Sequence, residues 1–508
     1  AKWFYINRDT STRYIGCITP KVGGTNGSLY VWNADTGAAC TITLDAPNWA
    51  ASTAYVVGNK VKNDSGKIYT CSTAGTSAGS GGPTGTGSAI ADNTAKWDYT
   101  TAESAAAYLD GVKTNYDITT VQDTTIICND KQVITTQAAP TDFVAQSRGT
   151  LLLSGKIEQM QGETFSVTVA GSTTASYTAP NDADYDQIID DLKDKIEDLN
   201  ISGLTVEKHP TSLQLDREIS STRTAFTLSA KGGDDNERLV VFQDWADNES
   251  WLPPNSFHNH KVTIVNSRLY DEDNYYAQFV ADNPSTGGSG YWKEGLGNNQ
   301  SPGLTAATMP HRLLNTGTNA FTLEPITWGD RLVGDDLTNN HPSFVGKTIK
   351  KTFWHDDRLG FLSEDNVILS RAKEPYELYA VSARTHTAGD PIDVNCASTR
   401  PTKLHAVKPA RQGLLLFSKS QQFVIYSDDG PLTPQSTKIR PVSNMEMSDT
   451  VDPIDIGTHF NFISKTPNFV RVFALQPRGL GEAPDILDIG RVVNEWITID
   501  VDTLVASI

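Results

Sequence analysis

The sequence lacks the features that hold a protein in a membrane or around a metal ion. No apolar run in its 508 residues reaches the roughly 20 residues that a transmembrane helix needs. Its cysteines are few, and they form neither a Cys-x-x-Cys pair nor a Cys/His pattern typical of zinc. We therefore expect reduced, buried thiols and no metal, with a Cys40–Cys71 disulfide as the alternative. The cysteines are Cys17, Cys40, Cys71, Cys128 and Cys396.

Positive charge is scarce as well. The chain has 42 Lys and Arg against 60 Asp and Glu, which gives a formal net charge of −18 at pH 7. Phosphate binding needs clustered cations, so this balance argues against a basic nucleic-acid clamp. The carboxylates fit either solubility or a surface to which DNA must not adhere. Two acidic segments, 234–237 and 271–274, lack the ligand spacing and the central glycine of a calcium loop.

The common signatures of enzymes are also missing. The sequence contains no Gly-x-Ser-x-Gly elbow, no Walker loop and no His-Glu-x-x-His zinc motif. The segment His-Asp-Asp-Arg at 355–358 could serve acid–base chemistry, but its context favours hydrogen-bonded turn residues. Asp-Pro-Ile-Asp occurs at 390–393 and at 452–455, and could supply the paired carboxylates of a glycosidase. Because Asp before Pro more often ends a strand, we expect no catalytic residue and no cofactor.

What the sequence does contain is a repeated β-hairpin. Three segments each combine an apolar run, a serine, three or four polar residues and a second β-rich run. These segments are 361–369, 416–425 and 462–472. Their serines, Ser363, Ser418 and Ser464, lie 55 and 46 residues apart, close to the length of one propeller blade. The repeat predicts a mainly β fold with a β-propeller-like scaffold.

Changes in composition divide the chain into six stretches. The first contains strands at 3–7, 14–18, 29–33 and 40–44, which we expect to pair two by two. Because the chain reads as a strand from its first residues, we expect it to be an excerpt of a longer protein. The stretches are scaffold strands at 1–44, a small β insert at 45–100, scaffold strands at 101–150, an α+β domain at 151–245, a β-rich connecting region at 246–345 and the repeated hairpins at 346–508.

The α+β domain contains the clearest helical pattern. Apolar residues recur every three or four positions from Tyr185 to Leu199, which predicts one amphipathic helix flanked by strands. We expect Asn181 or Asp182 to cap its N-terminus. The opposite face of this helix is almost entirely charged, which is typical of a solvated surface.

The insert at 45–100 is small and polar and carries regularly spaced aromatic residues. Its order of Trp, Tyr, Gly, Val, Gly, Tyr and a late Trp resembles the small chitin-type carbohydrate-binding modules. Sugar rings stack on exposed aromatic faces, and the candidate sugar-binding residues are Trp49, Tyr55, Tyr69, Trp97 and Tyr99. The same rings could instead form the core of so small a module. Where those modules carry adjacent exposed aromatics, this sequence has Asp98.

Short motifs in a fixed order link the second half of the chain to a known family. They are Leu-Pro-Pro-Asn at 252–255, Met-Pro-His at 309–311, Arg-Leu-Gly-Phe-Leu-Ser at 358–363, Asn-Val-Ile-Leu-Ser-Arg at 366–371 and Asp-Pro-Ile-Asp at 390–393. Together they resemble the tail nozzle proteins, or tail tubular proteins B, of short-tailed, podovirus-type bacteriophages. We expect structural roles for the residues of these motifs, namely Arg358, Gly360, Ser363, Ser370, Arg371, Asp390 and Asp393.

The resemblance implies a structural protein of the virion tail, assembled in the host cytoplasm, and not an enzyme. It implies one subunit of a homo-hexameric nozzle that contains a β-propeller, docks on a ring of adaptor proteins and helps to seat the tail fibres. Such a nozzle forms and gates the DNA ejection channel, and double-stranded DNA passes through it without sequence-specific binding. An acidic channel wall would repel phosphates and keep the duplex moving.

Two other functions fit parts of the sequence. The first is a glycan or peptidoglycan hydrolase with a propeller body, which would need a cleft with paired carboxylates. The second is an adhesin in which the aromatic residues of the insert hold a host surface glycan. A nozzle with an adhesive insert on its outer wall would combine the adhesin with the nozzle function.

Overall fold

The structure is a computed structural model of the chain. It describes residues 1–9, 12–22, 27–102, 105–171, 173–232, 238–266, 274–398, 400, 402–410, 413–428, 430–478, 484–492, 496–497 and 499–505. The acidic segment 234–237 lies outside the described residues, and of 271–274 only Asn274 is described. The described fold is mainly β, as the sequence predicted.

The N-terminal quarter of the chain contributes strands to several sheets. Its elements are β1 (Lys2–Asn7), β2 (Arg13–Ile18), β3 (Leu29–Asn33), β4 (Thr41–Leu44), β5 (Ala54–Tyr55), β6 (Lys60–Asn63), β7 (Lys67–Thr73), β8 (Gly75–Thr76), β9 (Ile90–Asp92), β10 (Ala95–Ala102), α1 (Ala105–Tyr108), a 3₁₀ turn (Lys113–Asn115), β11 (Tyr116–Val121) and β12 (Thr124–Asn129). Strands β1, β2 and β3 form an antiparallel sheet in that order, called the first sheet below. The insert has its own sheet, in the order β6-β7-β10-β9.

The middle of the chain holds the α+β unit and the connecting region. Its elements are β13 (Arg148–Leu153), a 3₁₀ turn (Ile157–Gln159), β14 (Thr164–Val169), β15 (Thr173–Thr178), α2 (Tyr185–Glu197), β16 (Leu204–His209), β17 (Ser212–Ile219), β18 (Thr222–Arg223), β19 (Leu228–Gly232), β20 (Leu239–Phe242), β21 (Trp245–Ala246), a 3₁₀ turn (Glu249–Trp251), β22 (Asn255–Ser256), β23 (Lys261–Ile264), β24 (Tyr275–Ala281), β25 (Gly288–Glu294), β26 (His311–Gly317) and β27 (Ala320–Pro325). Helix α2 buries its apolar face against the sheets β16-β17-β13-β20 and β15-β14-β19.

The predicted helix is therefore present, but the predicted cap is wrong. The side chain of Asp184, rather than Asn181 or Asp182, accepts a hydrogen bond from the backbone N–H of Gln187 at 2.8 Å. An N-cap side chain must reach the N–H groups of the first turn, and Asp184 is the residue directly before that turn.

The second sheet joins parts of the chain that are almost 300 residues apart. Its order is β11-β12-β26-β27-β4, and β4 lies parallel to β27. The predicted pairing of 29–33 with 40–44 holds only at its start, where the backbone N–H of Cys40 donates to the carbonyl of Val31 at 2.8 Å. Beyond Cys40 the chain leaves the first sheet and enters the second.

The C-terminal third forms three successive four-stranded antiparallel meanders. Their strands are β28 (Lys351–His355), β29 (Arg358–Ser363), β30 (Asn366–Leu369) and β31 (Ile392–Asn395); β32 (Leu404–Ala410), β33 (Gly413–Ser418), β34 (Gln422–Tyr426) and β35 (Lys438–Ser443); and β36 (Ile454–Asp455), β37 (Phe460–Lys465), β38 (Val470–Gln476) and β39 (Asp485–Asp488). Each predicted hairpin is present, as β29–β30, β33–β34 and β37–β38.

The five sheets of the scaffold pack face to face in chain order. Separate apolar clusters lie between the first and second sheets, between the second sheet and the first meander, and between each pair of neighbouring meanders. A four-stranded meander packed on its neighbours is the unit of a propeller. Closure of the series into a propeller stays a prediction.

Candidate functional site

Arg358 is the centre of a buried clamp in the first meander. It begins β29 and is 2% exposed. Its Nη1 donates to the carbonyl oxygens of Ser370 at 2.6 Å and of Asp390 at 2.7 Å, and its Nη2 donates to that of Ala388 at 2.9 Å. Burial lowers the pKa of Arg358 from its ordinary value. The guanidinium thus joins the end of β30 to the loop that precedes β31.

Two further motif residues fix the backbone around this clamp. The carboxylate of Asp390, which is buried, accepts from the backbone N–H of Thr387 at 2.7 Å. The hydroxyl of Ser370 accepts from the backbone N–H of Leu359 at 3.0 Å and donates to the carbonyl of Arg371 at 3.2 Å. These contacts use the polar groups to fix the backbone.

Asp393 links strand β31 to the segment before β28. Its carboxylate accepts from the backbone N–H and from the hydroxyl of Ser343, both at 2.7 Å, and from the Asn366 amide at 3.3 Å.

An open groove of about 670 Å³ runs past Asp390 and Asp393 and is also lined by His341 and His386. Among the described residues, no group of His, Cys, Asp and Glu could hold a metal ion.

Gly360 and Ser363 are packing residues of β29. A side chain on Gly360 would collide with the ring of Phe353, its partner on β28. The hydroxyl of Ser363 donates to the carbonyl of Thr348 at 2.8 Å. The motif residues therefore contact one another's strands and loops, and their family-wide role stays a prediction.

The insert uses its predicted sugar-binding residues internally. Trp97 and Tyr69 are completely buried. The indole N–H groups of Trp97 and Trp49 donate to the same carboxylate oxygen of Asp92, at 2.9 and 2.7 Å. The hydroxyl of Tyr55 accepts from the backbone N–H of Ala50 at 2.9 Å.

None of the five candidate aromatic residues of the insert is exposed. Trp49, Tyr55 and Tyr99 are half-buried, and the ring of Tyr55 meets that of Trp97 edge to face at 4.8 Å between centroids. Stacking on a sugar needs an open ring face. The arrangement thus accounts for these rings as the core of the module, and sugar binding by the insert stays a prediction.

All five cysteines are free thiols, so the alternative Cys40–Cys71 disulfide is not formed. Four of them are buried and Cys40 is half-buried. Burial raises the pKa of the Cys128 thiol well above its ordinary value, so this thiol stays protonated and unreactive. Over the described residues, no helix is long and apolar enough to cross a membrane.

Comparison with known proteins assigns the chain to a family. The model of the family described as bacteriophage nozzle protein matches residues 83–508. The chain belongs to this family. Tail tubular protein gp12 of Escherichia phage T7 is 29% identical to it over 326 residues, which are 62% of this chain and 40% of that relative. The resemblance found in the motifs is confirmed.

Membership makes this nozzle family protein a structural component of the phage tail and not an enzyme. The hydrolase alternative is therefore wrong. The two Asp-Pro-Ile-Asp segments support this, because Asp390, Asp393 and Asp452 all serve contacts within the fold.

Two charged clusters in the nozzle family protein escaped the sequence interpretation. Lys351 on β28 contacts Asp117 of β11 at 3.0 Å and Asp452 before β36 at 2.6 Å, so it joins the second sheet to two meanders. Burial alone would lower the pKa of Lys351, but the two carboxylates outweigh it and raise the pKa above its ordinary value. No local pattern reveals this cluster, because Lys351 and Asp117 are 234 residues apart.

Arg331 forms the second cluster and resembles the Arg358 clamp. Its side chain is fully buried. It contacts the carboxylate of Asp336 at 2.7 Å, the carbonyl of Ser301 at 2.9 Å and the amide oxygen of Gln300 at 3.2 Å. A buried guanidinium that donates to several acceptors fixes the relative positions of irregular segments.

Proposed function

We propose that the chain is a subunit of a homo-hexameric tail nozzle that forms and gates the channel for DNA ejection. In this role it docks on the adaptor ring at the portal side and helps to seat the tail fibres. Membership of the nozzle family is the observation that carries the proposal. The packed series of five sheets supports it, since a channel wall has to be rigid.

The charge of the chain supports a passage that does not hold DNA. Six copies multiply the net charge of −18, and cations on a channel wall would add affinity for phosphates through released counterions. An acidic wall repels the duplex and keeps it away from the surface. Three of the described cations, Lys351, Arg331 and Arg312, are in addition occupied by carboxylates of the same chain.

The proposal can be tested by light scattering and negative-stain microscopy on the purified full-length protein. Tails are examined in parallel. We expect a ring or tube of about six copies with a central hole, and immunogold labelling at the tail. Duplex DNA should show no measurable retention on the assembly at any salt concentration. Tight, strongly salt-dependent DNA binding, or labelling of virions away from the tail, would contradict the proposal.

The hypothesis of a host-glycan partner depends on the insert alone. Its candidate residues are core residues in the structure, so no observation on them favours an adhesin over a structural module. We therefore propose the nozzle function without a glycan partner.

A further inference from the structure

A polar cavity lies where the α+β unit meets the connecting region. Its volume is about 240 Å³. Arg148, which begins β13, and Arg223 on β18 line it from the α+β unit, and Lys261, which begins β23, lines it from the connecting region. Cations are scarce in this chain, so three of them around one cavity are unusual.

The two arginines share one carboxylate. Nε of Arg148 donates to Asp216 at 3.2 Å, and Nε of Arg223 lies 3.7 Å from the other oxygen of the same carboxylate. The guanidinium of Arg148 also lies over the ring of Phe257, 4.8 Å from its centroid, and the Arg148 side chain is only 13% exposed. A guanidinium fixed in this way is a preorganised donor, because its side chain does not have to be ordered when an anion binds.

The other two cations have hydrogen-bond donors that the chain does not use. Nε of Arg223 is buried and has no hydrogen-bond partner. Among the described residues, none forms a hydrogen bond or an ion pair with the Lys261 ammonium. Burial lowers the pKa of Lys261, and the nearby charge of Asp142 opposes this shift. Buried polar groups in native proteins are almost always paired, so these donors indicate a partner that is not part of the chain.

Carboxylates in and beside the cavity nearly balance the charge of the three cations, but not their hydrogen-bonding capacity. Asp216 already contacts both arginines, and Asp244 of the cavity wall accepts from the backbone N–H of Gln146 at 2.7 Å. Asp142 also lines the cavity and is exposed. His260 in the wall adds no charge, because burial lowers its pKa to about 3. The unused donors belong to the cations, and a ligand made of acceptors would pair them.

The size of the cavity and one further wall residue narrow the choice of ligand. Cavities for drug-sized molecules have about 300–1,000 Å³, so a smaller cavity suits a small anion. Phosphate offers more oxygens than a carboxylate does, and here cations approach from three strands. Hydrogen phosphate also keeps an O–H group, which can donate to Oδ1 of Asn298, a buried atom of the wall without a hydrogen-bond partner.

We propose that this cavity binds a small, free phosphate anion through Arg148, Arg223 and Lys261. The bound anion joins two strands of the α+β unit to β23 of the connecting region. The inference goes beyond the proposed nozzle function and does not depend on it.

Isothermal titration calorimetry with inorganic phosphate on the purified full-length protein tests the site, with sodium chloride adjusted to keep the ionic strength constant. We expect one phosphate per chain. Lys261→Gln and Arg223→Gln should each weaken binding about tenfold, because each removes a charge-assisted hydrogen bond. Both variants should fold, since neither side chain makes a hydrogen bond to the described residues. Lys465→Gln, which replaces an exposed lysine of β37, is the matched control and should bind phosphate as the wild type does.

Two further titrations identify the ligand. Sulfate, which has no O–H group at neutral pH, should bind more weakly than phosphate, and a short DNA duplex should not bind. Equal binding of sulfate and phosphate would overturn the assignment to phosphate. Duplex binding that Lys261→Gln weakens would overturn a free anion as the ligand.

The outcomes with the variants decide whether the site exists. Weaker phosphate binding in Lys261→Gln and Arg223→Gln, but not in Lys465→Gln, would establish it. A wild type that does not bind phosphate would overturn the proposal and leave a cavity that holds only water. Binding that is equally strong in the wild type and in both cavity variants would place the phosphate elsewhere and overturn the proposal as well.

Discussion

The insert and the first sheet are both rich in tryptophan and tyrosine, but they use these residues in opposite ways. In the insert the rings face inward, and Trp97 and Trp49 share the carboxylate of Asp92. In the first sheet, Trp3 and Tyr5 point into solvent. Residue type and spacing predicted a binding site in the insert, whereas the exposed aromatic side chains are in the first sheet. Aromatic residues thus indicate a site only when the fold leaves their faces or edges accessible.

The largest expected effect comes from removing an inward-facing ring. Trp97→Ala should lower the free energy of unfolding of the insert by about 3–5 kcal/mol, because it leaves a cavity and removes one of the two indole hydrogen bonds to the Asp92 carboxylate. Hydrogen exchange resolved along the chain measures this loss. Trp3→Ala is the matched control and should cost no more than about 1.5 kcal/mol, because this 60% exposed ring loses only its stack on Trp32. Equal losses in both variants would remove the contrast between the two regions.

A change of pH should separate the scaffold from the insert. The insert contains no histidine, whereas His311 is buried in the second sheet, stacked on Tyr108. Burial lowers the pKa of His311 to about 4, while an unfolded histidine has a pKa near 6.5. Between these values the unfolded chain binds a proton that the folded chain does not, so stability falls as the pH drops from 6.5 to 4. The loss amounts to about 3 kcal/mol.

Unfolding of the scaffold by urea, measured between pH 4 and 7, checks this dependence. His311→Asn is the control, because its amide can still donate to the carbonyl of Met309, as His311 Nδ1 does at 3.0 Å. This variant should lose the contribution of His311 to the pH dependence. The explanation is wrong if the variant and the wild type respond to acid identically.

A smaller loss of stability is expected from substituting two glycines that occupy equivalent places in two sheets. Gly16 faces Phe4 across β1 and β2, and Gly360 faces Phe353 across β28 and β29. A side chain at either glycine would meet the facing ring. Gly16→Ala and Gly360→Ala should each cost about 1–3 kcal/mol, because the ring must move in a packed interior.

Urea unfolding of the two variants measures this cost. Gly317→Ala is the control, since the nearest atom to an added side chain there is 3.8 Å away. A cost at Gly360 without one at Gly16 would show that the first sheet tolerates movement that the first meander does not.

The elements found correctly from the sequence are those encoded by neighbouring residues. The three hairpins follow from apolar runs separated by short polar turns, and α2 follows from a spacing of three and four residues. The cap of α2 was misplaced because Asn181, Asp182 and Asp184 all have suitable side chains. Only the position of the first turn selects among them.

The features that were missed depend on contacts between distant residues. The parallel pairing of β4 with β27 and the contact of Lys351 with Asp117 each join segments more than 200 residues apart. The burial of Trp97 and the exposure of Trp3 depend on which sheet faces are covered, which no local pattern records. For the same reason the motif around Arg358 could be found, but its clamp on the carbonyls of Ser370 and Asp390 could not.

The smallest expected effect on stability comes from an outward-facing ring of the first sheet. Tyr5→Ser removes a ring that is 71% exposed, so the free energy of unfolding should change by about 0.5 kcal/mol or less. Urea unfolding measures this change, and Tyr291→Ser, at 58% exposure on another sheet, is the control and should change stability as little. A loss in Tyr5→Ser as large as that in Trp97→Ala would show that the first sheet uses its rings for packing as the insert does, and would remove the contrast between the two regions.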